Sequence, residues 1–218
     1  APSGSGSLDL RLGDCMEVMA TFPDGHFDLA IVDPPYGLGD KLTSGGGSKG
    51  WGMRVNSGAE KWDVAPPPEY FQELRRVSRQ QIVWGGNYFD LPPSRGVIAW
   101  DKKKDHDRNS SHWELAWTSF DCIARIFRFC NNGGFVAKEP KIHPTQKPVE
   151  LYAWTLATYA KPGMRVLDTH LGSGSIAIAA HYAGVHLTAC EIDPQYYADA
   201  CDRIARETSQ ADLFSPHN

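Results

Sequence analysis

Apolar positions along the chain fall into short blocks whose period changes from one block to the next. Leu8–Leu12 alternates, and Phe27–Val32 is an apolar run that ends at Asp33, so both predict strands. Cys15–Phe22, between them, fits a short helix. Pro66–Ser78 places Phe71, Leu74 and Val77 at helical spacing behind prolines suited to a first turn, which predicts a second helix. Gln81–Trp84, Val97–Trp100, Glu114–Phe120 and Ile123–Phe129 read as strands. The last third is the most regular. A helix over Pro148–Ala160 is stopped by Lys161-Pro162-Gly163, and a strand Met164–Asp168 runs into a glycine turn. A small-residue helix, Ser175–Ala183, ends at Gly184 and precedes a strand Val185–Cys190 and a helix from Gln195 to Glu207. Strands alternating with helices predict an α/β fold, a mostly parallel sheet with helices on both faces.

One segment breaks the pattern. Residues 41–58, KLTSGGGSKGWGMRVNSG, are rich in glycine and have no apolar period. Lys41, Lys49 and Arg54 beside Trp51 favour a lid over a charged ligand, with a passive linker as the alternative. The chain as a whole has the composition of a globular protein: 41% hydrophobic, 22% charged, mean hydropathy -0.40. At 218 residues it predicts a single domain over 8–207, with small insertions within 40–140 and flexible ends at 1–7 and 208–218. No apolar run approaches the roughly 18 residues of a membrane span, and no signal peptide is visible. Five scattered cysteines without a C-x-x-C suggest neither a disulfide frame nor a zinc site, so a cytoplasmic setting is expected.

Charge changes this picture. The net value of -4 hides a gradient: -6 over residues 1–40, +6 over 41–147 and -4 over 148–218. A polyanion would meet a local basic patch on an otherwise acidic chain.

Two motifs carry candidate chemistry. Asp168-Thr-His-Leu-Gly-Ser-Gly-Ser175 joins a strand to a helix, and Glu191 closes the next strand. Glycines at such a turn let backbone approach a ligand, and an acidic residue about 20 positions on can bind a ribose diol. The third glycine of a pyrophosphate clamp is missing, which favours a nucleoside over a dinucleotide. Earlier, an apolar strand delivers Asp33-Pro34-Pro35-Tyr36. The prolines fix carbonyl directions, so the Asp33 carboxylate, the Pro34 carbonyl and the Tyr36 ring would suit a planar base with an exocyclic amine.

DPPY after an apolar strand, then His143-Pro-Thr-Gln-Lys-Pro148, then LDTHLGSGS with a downstream acid, closely resembles the S-adenosylmethionine-dependent amino methyltransferases of DNA. The order, with the catalytic motif before the cofactor motif, is similar to the family's β arrangement. The likeness extends to WGGNYF (Trp84–Phe89) and ELAWTSF (Glu114–Phe120) and covers most of residues 8–207. It implies a Rossmann-like methyltransferase fold in circularly permuted order, with S-adenosylmethionine as cofactor and no metal. It also implies that Asp33, Pro34, Pro35 and Tyr36 are catalytic: Asp33 and the Pro34 carbonyl accept from the target amine, and Tyr36 stacks on the extruded base. Asp14, Thr145, Lys147, Asp168, Gly172, Ser173, Gly174, Ser175 and Glu191 are implied to hold the cofactor, Thr145 and Lys147 near its carboxylate, Asp14 near its adenine and Glu191 on its ribose. As a helix cap, Asp14 has an alternative structural role. His170 and Thr169 depart from the phenylalanine and proline common in the family.

These readings lead to a DNA adenine-N6 methyltransferase. The alternatives are a cytosine-N4 enzyme, whose relatives usually carry serine at the Asp33 position, or a catalytically idle subunit that binds DNA and cofactor. Lys49, Arg54, Lys102, Lys103, Lys104 and Arg108 are the candidate phosphate contacts. Trp113 or Trp117 is the candidate neighbour of the flipped base. The small region available to read sequence leaves room for a homodimer or a second subunit.

Overall fold

A computed structural model describes residues 6–38, 63–103, 111–130, 142–143 and 145–209. Among them, eight strands form one sheet: β1 (Leu8–Leu12), β2 (Leu29–Val32), β3 (Gln81–Trp84), β4 (Val97–Asp101), β5 (Trp113–Thr118), β6 (Arg125–Arg128), β7 (Arg165–Asp168) and β8 (His186–Glu191). The helices are α1 (Cys15–Ala20), α2 (Pro68–Val77), α3 (Val149–Tyr159), α4 (Ser175–Ala183) and α5 (Pro194–Ser209). A 3-10 turn at Gly86–Tyr88, unannounced by the sequence pattern, follows β3.

Strand order across the sheet is β1-β8-β7-β2-β3-β5-β4-β6. Five pairings are parallel, and β5 runs antiparallel to both β3 and β4. Strand β5 is itself the crossover between the parallel neighbours β4 and β6, so it returns antiparallel to β4.

Strand β2 shows why its sequence is apolar without alternation. Leu29 and Ile31 join the cluster formed with Leu151, Leu156, Ile176 and Ile178 of α3 and α4. Ala30 and Val32 join Met19 of α1 and Tyr70 and Leu74 of α2 on the other face. Both faces are therefore covered, as expected for the parallel part of a sheet. Each large side chain so buried contributes on the order of 1.5–3 kcal/mol. A one-residue slip would exchange the faces, so the same packing fixes where Asp33 emerges.

The covering helices follow from their residues. Pro68 opens α2, and Tyr70, Phe71, Leu74 and Val77 form its buried stripe. Helix α4 is buried on all sides from Ser175 to Ala180, its alanines allowing close approach. Phe27 lies outside β2 and makes an isolated bridge to Ser78, so β2 is two residues shorter than the apolar run. No helix among the described residues is long and apolar enough to cross a membrane.

In the sheet order, β8 lies to one side of β7 and β3 lies to the other side of β2. The crossovers that follow β7 and β2 therefore lead to opposite sides of this parallel pair, and the crevice beyond their carboxyl ends is where open α/β sheets bind ligands.

Candidate active site

A cavity of about 440 Å³ opens at these strand ends, bounded by Asp14, Asp33, Tyr36, Lys147, Gly172 and Glu191 among others. Each arrives at a strand end or on the turn that follows, except Lys147, which stands just before α3. Gly13 donates its N–H to the Glu191 carbonyl (2.8 Å), tying the end of β1 to that of β8.

On one side lies the glycine turn. Glu191 Oε2 accepts from the Gly172 N–H (2.9 Å) and Oε1 from the Asp193 N–H (3.1 Å). A carboxylate has about four lone-pair sites, so acceptor capacity remains toward the cavity. Asp14 Oδ1 accepts from the Met16 and Glu17 N–H groups at 2.8 and 3.2 Å, so it caps α1 while lining the same cavity. Thr145 also lines it, its hydroxyl 3.1 Å from His143 Nδ1. Burial, reinforced by Lys147, lowers the His143 pKa to about 4. Burial alone does the same to His170, so both imidazoles are neutral at pH 7.

Three residues expected at the cofactor support the turn, and of these Ser175 also lines the cavity. Asp168 is buried beneath it and accepts from the His170 N–H (3.0 Å) through Oδ1. Burial pushes its carboxyl up to about 8; the His170 N–H pulls the other way, while Asp33 and Glu191 add to the rise. Gly174 has φ +76°, and a Cβ there would lie 2.8 Å from Ile204 Cδ1, so it faces α5. Ser175 donates to the Lys147 carbonyl (2.7 Å) and accepts from Arg203 Nη1 (2.9 Å), although its side also borders the cavity. Arg203, which is almost fully buried, also donates to the Ser173 carbonyl (2.9 Å). No sequence signal singled it out: a lone arginine on an amphipathic helix reads as surface.

The other side is built on β2. Asp33 Oδ1 accepts from the Tyr36 hydroxyl (2.7 Å), and Oδ2 accepts from Lys147 Nζ. Lys147, expected near the cofactor's carboxylate, lines the cavity, and its ammonium is paired with Asp33 and Glu114. Burial disfavours the ammonium, but Asp33 and Glu114 outweigh it and hold the Lys147 pKa above its ordinary value. Burial, with Asp33 next, raises the Tyr36 pKa well above its ordinary value, keeping it a phenol that can donate.

Tyr36 is stacked on Tyr88, with ring centroids 4.9 Å apart and planes at 20°. Gly85 fixes this arrangement: at φ +69° it lies so close that a Cβ would sit 2.2 Å from Tyr36 Cε1. Tyr88 is half exposed. It is a better-placed aromatic neighbour of Tyr36 than the expected tryptophans, since Trp117 is core and donates to the Pro92 carbonyl (2.7 Å). Trp113 is exposed at the start of β5.

Of the basic residues, Lys102 turns inward to ion-pair with Glu114 and lie over the Trp100 ring, at 5.0 Å from its centroid. This departs from the expected phosphate contact: a partly buried ammonium paired with a carboxylate is not presented to a polyanion. Lys103 is exposed at φ +47°, its N–H donating to Asp101 Oδ1 (2.9 Å). Lys49, Arg54, Lys104 and Arg108, and the expected lid over 41–58, lie outside the described residues.

Residues 94–202, half the chain, match the sequence profile of a family described as DNA methylase, the N6/N4 methyltransferases. "Putative methylase YubD" of Escherichia coli (strain K12) is 25% identical over 212 residues, covering 88% of each chain. Two solved structures share the fold. The PvuII DNA methyltransferase, described as cytosine-N4-specific, superimposes with a TM-score of 0.60 at 14% identity over 94% of this chain and 93% of its own. The complex of M1.HpyAVI with SAM superimposes at 0.57 and 17% identity over 90% and 99%.

Proposed function

This chain belongs to the N6/N4 DNA methylase family, and on that premise we propose that it transfers a methyl group from S-adenosylmethionine to the N6 amine of an adenine swung out of DNA. The observation that carries the reading is the pairing in one cavity of an Asp33-Pro34-Pro35-Tyr36 acceptor cluster with the Gly172–Glu191 turn.

The residues present suit the cofactor. The cavity volume lies within the roughly 300–1,000 Å³ of small-molecule sites. Glu191 and Asp14 keep acceptor capacity for ribose hydroxyls and an adenine amine, and Gly172, with φ +52°, presents bare backbone. When bound, S-adenosylmethionine supplies a methyl group on a cationic sulfur, which becomes a neutral thioether as the base nitrogen takes that methyl.

The chain's own groups act on the nitrogen. Its lone pair is delocalised into the base, so it is a poor nucleophile. Hydrogen bonds to Asp33 and the Pro34 carbonyl favour a pyramidal nitrogen and stabilise the positive charge that develops on it. That nitrogen then releases one proton to water through the open mouth of the site. Tyr36 orients Asp33 with its hydroxyl, and Tyr36 with Tyr88 offers an aromatic shelf for the base. Extrusion costs a few kcal/mol, which stacking offsets. Holding both reactants in one cleft supplies further rate enhancement as positioning.

Cytosine-N4 transfer is the second reading, favoured by the superposition on the PvuII enzyme. One experiment separates them: the purified chain, methyl-tritiated S-adenosylmethionine and unmodified genomic DNA, followed by digestion to nucleosides. Label in N6-methyldeoxyadenosine is expected. Label in N4-methyldeoxycytidine would replace adenine by cytosine, and unlabelled nucleosides would remove methyl transfer altogether. Exposed Lys103 is the described candidate for a backbone contact, and a second subunit would enlarge the reading surface.

A further inference from the structure

Glu114, at the start of β5, is not among the residues that line the cavity. Its Oε2 lies 3.2 Å from Lys147 Nζ, and its Oε1 is ion-paired with Lys102. Four charges of alternating sign thus form a chain that ends at the cavity: Lys102, Glu114, Lys147, Asp33. We propose that Glu114 is a positioning residue for methyl transfer: it shares the Lys147 ammonium, so that Asp33 keeps the negative charge the reacting nitrogen requires. The inference rests on the proposed transfer to an amine beside Asp33.

The geometry carries it. Lys147 is almost completely buried, so little water screens it. It donates to Asp33 Oδ2 and, at 3.4 Å, to the Tyr36 hydroxyl oxygen, and it ion-pairs with Glu114 Oε2, a buried oxygen that accepts no hydrogen bond among the described residues. Without Glu114, Asp33 and Lys147 would form a neutral pair. A nitrogen becoming cationic would then face a carboxylate cancelled by an ammonium one hydrogen bond away. With Glu114 ionised, the three groups together carry one negative charge. Lys147 and Lys102 hold the Glu114 pKa down at about 2 although burial alone would raise it, so the charge is present at neutral pH. Lys102 sits on the far oxygen and opposes this effect from a greater remove.

The opposed signs give the test. Glu114→Gln keeps the shape and removes the charge; Lys102→Met removes an ion pair at the same carboxylate but leaves its charge to Lys147. Both would be made in the full chain and checked by thermal melting. Single-turnover transfer from tritiated S-adenosylmethionine to unmodified plasmid DNA would be measured beside calorimetric cofactor affinity. For Glu114→Gln, the saturated rate is expected to fall roughly 10–100-fold, less than deletion of a group in direct contact, with cofactor affinity and the KM for DNA little changed. For Lys102→Met, the rate should equal or exceed that of the unmodified chain.

A folded Glu114→Gln variant within about twofold of the unmodified rate would overturn the assignment, by the arithmetic that relates rate to barrier. So would a Lys102→Met rate that drops, which marks a merely structural cluster; this arm decides even if Glu114→Gln does not fold. An unmodified chain that transfers no methyl group fails before any variant is compared, and that result overturns the underlying reading together with this inference.

Discussion

The Lys147 ammonium lies against the Asp33 carboxylate, bringing together residues 114 positions apart in the chain. One follows a buried strand, and the other closes the segment that leads into α3. Their pairing joins the DPPY motif to the HPTQKP motif, and the Ser175 hydroxyl bond to the Lys147 carbonyl joins both to the glycine turn.

The pairing alters what removal of Asp33 should do. Asp33→Ala deletes an acceptor whose value is greatest in the transition state, so single-turnover methylation should slow by roughly 10²–10³. Position 33, although at a strand end, also supports the fold: the variant leaves buried Lys147 with Glu114 as its remaining carboxylate. Breaking a buried pair typically costs about 3–5 kcal/mol, and Glu114 should reduce that loss. Denaturant unfolding beside the rate assay checks both effects, and near-normal turnover would remove DPPY from catalysis.

Glu191→Ala should weaken S-adenosylmethionine binding by about 1–3 kcal/mol, roughly 5- to 150-fold, because an acceptor is lost and the Gly172 and Asp193 N–H groups lose their partner. DNA affinity should change little. Calorimetric titration with the cofactor decides; unchanged affinity would take Glu191 out of the site.

Asp168 makes stability depend on pH. Its folded pKa, about 8, lies above the unfolded value near 4, so the folded chain holds a proton that the unfolded chain has released. The stability contributed by the protonated carboxyl is complete below about pH 4 and is lost progressively as pH rises through about 8. Asp168→Asn keeps an oxygen for the His170 N–H and removes the titration, so its melting temperature should gain on that of the unmodified chain as pH rises from 5 to 9. Parallel melting curves across that range would show that the carboxyl does not titrate there.

For DNA, Lys102 and Lys103 should behave differently although they are adjacent. Lys103→Ala should lower the slope of log affinity against log salt by up to about 0.9 if it meets one phosphate. Lys102→Ala should leave the slope unchanged, since its ammonium is held by Glu114. Titration of a labelled duplex at several salt concentrations measures both; equal slope changes would mean that Lys102 leaves Glu114 to bind DNA.

Local physics was enough to read most elements from the residues. Gln81–Trp84 and Ser175–Ala183 form the expected strand and helix without adjustment, because short apolar runs and glycine stops act within a few residues. The DPPY and LDTHLGSGS motifs were legible for the same reason, each being one strand and the turn after it. Tertiary structure decided which groups meet. The course of β5, antiparallel to both β3 and β4, brings Glu114 to Lys147. Tyr88 reaches Tyr36 through a 3-10 turn and a left-handed Gly85. Arg203 becomes a brace for the glycine turn because α5 packs over it. Burial then fixes the charges: a carboxyl at the end of a buried strand looks the same in sequence whether it is paired with an ammonium, as Asp33 is, or enclosed and proton-binding, as Asp168 is. Distance and desolvation separate the two, and both are properties of the folded chain.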